Sequence, residues 1–292
     1  MTPRPPPPVE RVRRRLSASL GPEVAAALPD GFQRLGQVVI VKLPESLRDR
    51  FPVIGAAYRE EFHVRAVLRR RGGISGEFRV PETESIAGDA TETIVQEHGI
   101  RYGFDARRVM FAAGNHLERG RAGRLVLPGE TVVDLFAGIG YFALPAAVLG
   151  RAGRVHACEA NPVAFHYLVE NAARNGVADR VLAYRGDNRE ALIPPAAADR
   201  VFLGLLPESL PWVPRAVGLL RPRGGWLHVH RLQGTRDGAD SVTAGVLDLL
   251  EREGRAVIGA SVHTVKPYGP GRVHVVVDVQ VGGATADVAP AG

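Results

Sequence analysis

From residue 129 onward the apolar positions of the chain alternate between short continuous runs and helical spacings. The runs in TVVDLFA, RVHACEA, RVLAYRG, DRVFLGL and GGWLHVHRL predict strands, and the stretches YFALPAAVLG, PVAFHYLVENAARNG and LPWVPRAVGLL between them repeat with the helical period. This alternation predicts a parallel sheet wrapped on both faces, with ligands collecting at the carboxyl ends of its strands. A further helix, SVTAGVLDLLEREG, leads into AVIGASVHTVK and RVHVVVDVQV, and the link PYGPG between these two is short enough for a hairpin. The sheet is therefore expected to finish with an antiparallel strand.

Upstream the rhythm is different. QVVIVKLP, the helical pattern ESLRDRFPVIGAAYREEF and the strand-like VRAVLRR and GEFRVP make a compact α+β unit within a small domain of residues 31–98. Residues 99–128 read as a connector: two short strands, IRYGFDA and RRVMF, the polar turn AAGN and the short helical stretch HLERGRAG. Residues 1–30, with a polyproline tract and an Ala-rich stretch, are expected to form a disordered, at most partly helical tail, and residues 283–292 a second frayed tail.

Composition adds only a little. Hydrophobic residues at 45% and charged residues at 23% are ordinary for a folded protein. A formal charge of +6, from 37 Lys and Arg against 31 Asp and Glu, favours an anionic partner, and its arginines fork onto phosphates. The single cysteine, Cys158, sits in an apolar segment and reads as a core residue. The basic, proline-rich start has no hydrophobic run behind it and no later run is long enough to span a bilayer, so the expectation is a cytoplasmic protein with no membrane contact.

The chemistry concentrates in VVDLFAGIGYF, where Asp134 lies inside an apolar run and Gly138 and Gly140 follow it. Gly138 to Ala143 fits the G-x-G-x-x-G/A pattern of dinucleotide sites. Asp134 argues against that ligand, because a carboxylate four residues before the turn repels a pyrophosphate but welcomes a cationic amino group. Glu159, closing the next strand, is placed to hold ribose hydroxyls. Asp187 and Asn188, after the third strand, can take the adenine amino group and a ring nitrogen. These features favour S-adenosylmethionine, whose methionine end carries the cation. The plainer alternative is that Asp134 caps the turn and Asp187 caps the next helix.

In these residues the sequence resembles the archaeal and eukaryotic tRNA enzymes that modify the guanosine just 3′ of the anticodon. One branch methylates a ring nitrogen of that base; the other transfers the 3-amino-3-carboxypropyl group of S-adenosylmethionine during wybutosine synthesis. The likeness runs from about Gly36 to Val281 through GQVVIVKLP, EHGIRYGFD, VMFAAGNHLER, DLFAGIGYF, ACEANP, GDNR, LGLLPES, GGWLHVH and KPYGPGRVHVVVDV. VMFAAGNHLERGR is similar to the aminocarboxypropyl branch, since the methylating branch has an arginine where Gly114 stands. Gly204-Leu205-Leu206-Pro207 likewise replaces an Asn-containing tripeptide of the methylating branch.

The resemblance implies an α/β fold, a class I S-adenosylmethionine-dependent methyltransferase-like Rossmann sheet over residues 129–282 with a smaller amino-terminal α+β domain. It implies cofactor contacts from Ala112, Arg119, Glu159, Asp187 and Asn188, beside Asp134, Gly138 and Gly140. Position 112 is commonly serine in the family, so only a backbone contact survives there. Asn115, Glu118, Leu205 and Pro207 are the expected substrate contacts, no metal is implied, and no obligate protein partner is evident. The module that some relatives use on the tRNA elbow is expected to be missing.

A sulfonium offers three electrophilic carbons, and displacement goes to the one held in line with the nucleophile. Arg119 is expected to orient the carboxylate of the amino-acid arm, with Glu159 and Asp187 fixing ribose and adenine. His116, His228 and His230 are the histidines considered as bases, and none is assigned, so the catalytic residue is left open. Arg69-Arg70-Arg71, Arg107-Arg108 and Arg119-Arg121-Arg124 could follow the phosphates of a tRNA. The alternatives are an aminocarboxypropyl transfer to a small molecule, methylation of the same tRNA position, and an RNA-binding module without catalysis.

Overall fold

The structure, a computed structural model, describes residues 6–76 and 78–284. It divides into two compact units: the first runs to residue 96 and takes in residues 101–111, and the second holds residues 97–100 and those from 112 onward.

In the first unit a hairpin of β1 (Phe32–Leu35) and β2 (Val38–Val41) turns at Gly36, whose φ of +55° suits glycine. Helix α3 (Phe51–Phe62) carries the chain over to β3 (Ala66–Ser75), parallel to β2, and β4 (Val80–Ala87) returns antiparallel to β3. Phe51, Ile54, Tyr58 and Phe62 of α3 pack on Val39, Val41 and Val67 of the sheet.

The expectation of a disordered tail over residues 1–30 is corrected for the described part of it. Pro8–Leu20 forms a helix, α1, and Pro22–Ala26 a short second one, α2. Val9, Val12 and Leu16 recur at helical spacing on one face of α1 and are buried in the same core as α3. The proline run ends at the first helical position, where a missing N–H costs nothing. Arg11 Nε donates to Glu61 of α3 at 2.6 Å, tying the polar edge of α1 down. Residues 1–5 and 285–292 lie outside the described residues.

RRVMF is also not a strand. Arg107 and Arg108 form a turn closed by Asp105, which accepts from the Arg107 N–H at 2.9 Å through its side chain and from the Val109 N–H at 2.9 Å through its carbonyl. The strand containing IRYGFD, β6 (Ile100–Asp105), pairs instead with the preceding β5 (Glu92–Glu97).

The second unit is built on seven strands, β7 (Thr131–Asp134), β8 (Arg154–Glu159), β9 (Val181–Arg185), β10 (Arg200–Leu203), β11 (Gly225–Gly234), β12 (Arg255–Gly269) and β13 (Arg272–Ala284). Their order is β12-β13-β11-β10-β7-β8-β9, and β13 alone runs opposite to the other six. The antiparallel strand is thus inserted inside the sheet and not added at its edge. Composition explains the exchange: β13 has Val275, Val276, Val277 and Val279 fully buried, whereas β12 is mostly exposed, bulged and interrupted by Pro267, which suits an edge. Helices α4 (His116–Leu125), α5 (Ala143–Val148), α6 (Pro162–Arg174), α7 (Val213–Leu219) and α8 (Ala239–Arg252) complete the unit.

If α1 is part of the first unit's core, Leu16→Ala, at a side chain only 1% exposed, lowers unfolding stability by about 2–4 kcal/mol in urea denaturation. A change within about 0.5 kcal/mol, typical of surface sites, would show that the helix is not docked.

Candidate cofactor site at the strand tips

The turn between β7 and α5 lies at the carboxyl end of β7, an interior strand of the sheet. Gly138 and Gly140 have φ of +57° and +103°, and a Cβ at either would stand 2.5 Å from the Tyr141 ring or the Leu144 side chain. Only glycine serves there. The turn is fixed by the Ala137 N–H donating to the Cys158 carbonyl at 2.8 Å and by the buried Asn171 amide of α6 donating to the Ile139 carbonyl at 3.2 Å.

Two carboxylates take up the turn's outward N–H groups. Glu159 accepts from Gly138 N–H through one oxygen and from Asn161 N–H through the other, both at 2.7 Å. Asp134 accepts from Phe136 N–H at 3.3 Å and from Ala143 N–H, at the start of α5, at 3.1 Å. Burial raises both carboxyls above their ordinary range, Asp134 to about 7. Asp134 is 0% exposed, so the expectation that it touches a cofactor amino group is corrected: its oxygens face backbone, and it closes the loop. With Gly138 N–H already answered by Glu159, the turn offers a pyrophosphate fewer free donors, which weighs against the dinucleotide reading.

Ala112 and Asn115 frame the turn that opens α4. The Ala112 carbonyl accepts from Asn115 N–H at 3.0 Å and from Arg119 Nη1 at 3.2 Å, so it is already engaged. Arg119 is 2% exposed; its Nε and Nη2 meet Glu97 at 2.7 and 2.6 Å, and its guanidinium lies 5.7 Å from the centre of the Tyr141 ring. It is a buried, oriented cation beside the glycine turn and not a solvated helix arginine.

Glu118 does not stay open to a substrate. It is 1% exposed and held by Arg121 at 2.7 and 2.8 Å, and Arg121 reaches on to Asp278 at 2.6 Å. The line continues through His228, whose Nδ1 donates to Asp278 at 2.5 Å while its Nε2 accepts from Arg200 at 2.7 Å, to Glu130 at 2.9 Å. Asp278 stays well below the usual carboxylate range because the bonds from His228 and Arg121 outweigh its burial. Helix α4 is thereby bolted to the sheet.

Asp187 follows β9, where its carboxylate grips Arg189 and receives the Arg189 N–H at 2.9 Å; these bonds lower its pKa. Asn188 is buried, and its Oδ1 has no hydrogen-bond partner among the described residues; the same holds for Asn115 Oδ1. Leu205 and Pro207 lie in the loop after β10, which contains a cis Leu206–Pro207 bond. The buried Ser209 hydroxyl lies 2.8 and 2.7 Å from the Leu203 and Leu205 carbonyls, and Pro207 accepts from Leu232 N–H at 2.9 Å.

Sequence reading missed Glu97, the partner of Arg119, and the buried pair His230–His274, whose Nδ1 and Nε2 lie 2.9 Å apart beside the Phe142 ring. Glu97 lies in a strand that the pattern did not reveal. Burial lowers both imidazole pKa values, His274 to about 4 with help from the charge of Lys266. Cys158 is buried, its thiol pushed up to about 12, as a core residue should be. Among the described residues no His, Cys, Asp and Glu cluster could hold a metal, and no helix is long and apolar enough to cross a membrane.

The residues fit S-adenosylmethionine. Asn188 Oδ1 is a buried acceptor lacking a donor among the described residues, and Glu159 lies half-buried at the tip of β8 beside the glycine turn. Strand order and turn together define a Rossmann-type transferase domain of the kind that uses this cofactor. Residues 93–246 match the family model for the TRM5/TYW2 methyltransferase domain, and residues 12–91 match the TYW2 N-terminal domain. The chain belongs to the TRM5/TYW2 family.

Among its relatives, the tRNA(Phe) (4-demethylwyosine(37)-C(7)) aminocarboxypropyltransferase of Pyrococcus horikoshii is 35% identical over 93% of this chain and 96% of its own length. The crystal structure of Pyrococcus horikoshii TYW2 in complex with MeSAdo superposes with a TM-score of 0.83 at 32% identity, over 94% of this chain and 99% of that one. Methanocaldococcus jannaschii TYW2 in complex with AdoMet gives 0.71 at 28% identity, over 86% and 99%.

The His230–His274 pair yields a pH prediction. With its folded value near 4 and the ordinary value at 6.5, His274 binds a proton less readily folded than unfolded. Its contribution to stability is present above pH 6.5 and is lost as pH falls through 4. His274→Gln is expected to remove roughly 2–3 kcal/mol of the acid-induced loss measured by urea unfolding between these limits. An unchanged pH slope would place the ring elsewhere.

Proposed function

We propose that this protein transfers the 3-amino-3-carboxypropyl group of S-adenosylmethionine to a modified guanosine beside the tRNA anticodon, releasing 5′-methylthioadenosine. The single observation that carries the reading is the acid-lined glycine turn beside the buried Arg119. The relative over nearly the whole chain is named for this transfer, and the chain keeps Gly114 and Leu205-Leu206-Pro207 where the methylating branch resembles neither.

When bound, the cofactor supplies a sulfonium-activated carbon: the acceptor carbon bonds to it, the sulfur keeps the electron pair, and the acceptor's proton passes to solvent. The chain's own work is placement. Glu159 and Asn188 hold the adenosine half, Arg119 faces the carboxylate of the arm, and the loop with Leu205 and Pro207 borders the acceptor. Asp187 joins the adenosine contacts by turning part of its carboxylate away from Arg189.

The tRNA reading rests on the exposed arginines Arg70, Arg71, Arg107, Arg108 and Arg124. Arg69, Arg119 and Arg121 leave that set, because each is internal and ion-paired, Arg69 with Glu84 at 2.6 Å and Glu45 at 2.8 Å. The compartment follows the substrate: a cytoplasmic site is the reading for an enzyme of mature tRNA.

Incubation with labelled cofactor and tRNA carrying the wybutosine precursor is expected to give methylthioadenosine equal to the acceptor modified. S-adenosylhomocysteine as the product would establish methylation instead. Turnover of a free small acceptor, with tRNA affinity insensitive to salt, would establish the small-molecule reading. Asn188→Ala should weaken cofactor binding by about tenfold, the worth of one buried hydrogen bond; unchanged affinity in calorimetry would remove that side chain from the site.

A further inference from the structure

Lys266 opens the segment KPYGPG and makes no ion pair among the described residues. It projects from the edge strand β12 over the turn of residues 113–115, and a Cβ at Gly114 would lie 3.2 Å from both its Cδ and its Nζ. Gly114 therefore leaves the room that the lysine side chain occupies. The ammonium is half-buried, its pKa lowered by burial and then by the charge of Arg119, and no acid stands within ion-pair distance of it among the described residues.

The local charges are unevenly paired. Arg119 has Glu97, and Glu118 and Asp278 share Arg121. Lys266 is the remaining cation, set against Arg119 beside the Tyr141 ring of the glycine turn. A half-buried ammonium beside a second cation, with no acid of its own at ion-pair distance among the described residues, makes a place for a carboxylate. We propose that Lys266, with Arg119, seats the carboxylate of the cofactor's amino-acid arm, so that a lysine from the edge strand fixes the direction of that arm. The proposal rests on the cofactor reading above and adds a residue to it.

The test separates this carboxylate from the rest of the ligand. In calorimetry on the full chain, Lys266→Met is expected to weaken S-adenosylmethionine binding by roughly tenfold or more. Affinity for 5′-methylthioadenosine, which has no arm, and for decarboxylated S-adenosylmethionine should stay within about twofold, a scatter well below one charge-assisted bond. Lys266→Arg should recover most of the loss. Equal weakening of all three ligands, or an unchanged S-adenosylmethionine affinity, would overturn the proposal. So would a variant that keeps cofactor affinity and loses tRNA, since that outcome assigns the lysine to a phosphate. Release of S-adenosylhomocysteine by the wild-type protein would instead defeat the transfer reading and leave the binding comparison standing.

Discussion

A backbone turn that must hold two glycines at positive φ has N–H groups with nowhere in the helix ladder to go, and here they are answered by carboxylates. Glu159 takes Gly138, and Asp134 takes Phe136 and Ala143. Each bond is charge-assisted and sits where solvent is scarce, so each resists loss more than a surface contact would. The turn's conformation and its electrostatic sign come from the same bonds. A loop of this shape with bare N–H groups attracts phosphate, whereas here Glu159 already holds the Gly138 N–H.

The turn is packed against the surrounding sheet. Phe142 leaves the turn and stacks on Phe202 of β10, with ring centres 5.4 Å apart. The ion chain from Glu118 through Arg121, Asp278, His228 and Arg200 to Glu130 crosses from α4 over β13, β11 and β10. A buried chain of charges adds little net stability, yet removing one member strands its neighbour at a cost of about 3–5 kcal/mol. Its structural effect is registry: α4 has one position on the sheet, and Arg119 therefore has one direction.

The alternation of apolar runs after residue 129 made the parallel sheet legible, and GIG and the acids around it marked the site, because burial on two faces and close packing restrict residue choice. Other features left no such trace. The edge and interior places of β12 and β13 depend on which of two β-rich segments is apolar on both faces, a comparison that hairpin length does not contain. Helix α1 was hidden by prolines and arginines although Val9, Val12 and Leu16 had the right spacing. Glu118 and Arg119 are adjacent in sequence and both buried, and only their three-dimensional partners, Arg121 for one and Glu97 for the other, show how each is held. Lys266 is close to Gly114 in space and far from it along the chain.

If the loop after β10 borders the acceptor, as proposed, its composition limits how an acceptor can be told from its competitors. Gly204, Leu205, Leu206 and Pro207 bring no polar side chain, and the one nearby hydroxyl, that of Ser209, is buried against the Leu203 and Leu205 carbonyls. A Cβ at Gly204 would meet the Phe142 ring at 2.8 Å, so a larger residue there would disturb the stack beneath the glycine turn. Recognition on this side must come from apolar contact and backbone groups. Such a surface distinguishes ligands by area and shape, with each added methylene-sized increment worth only about 1–3 kcal/mol, and it discriminates poorly by hydrogen-bond pattern. In the proposed transfer, selection of the acceptor therefore falls to shape at the β10 loop, and selection of the reacting carbon to charge at α4.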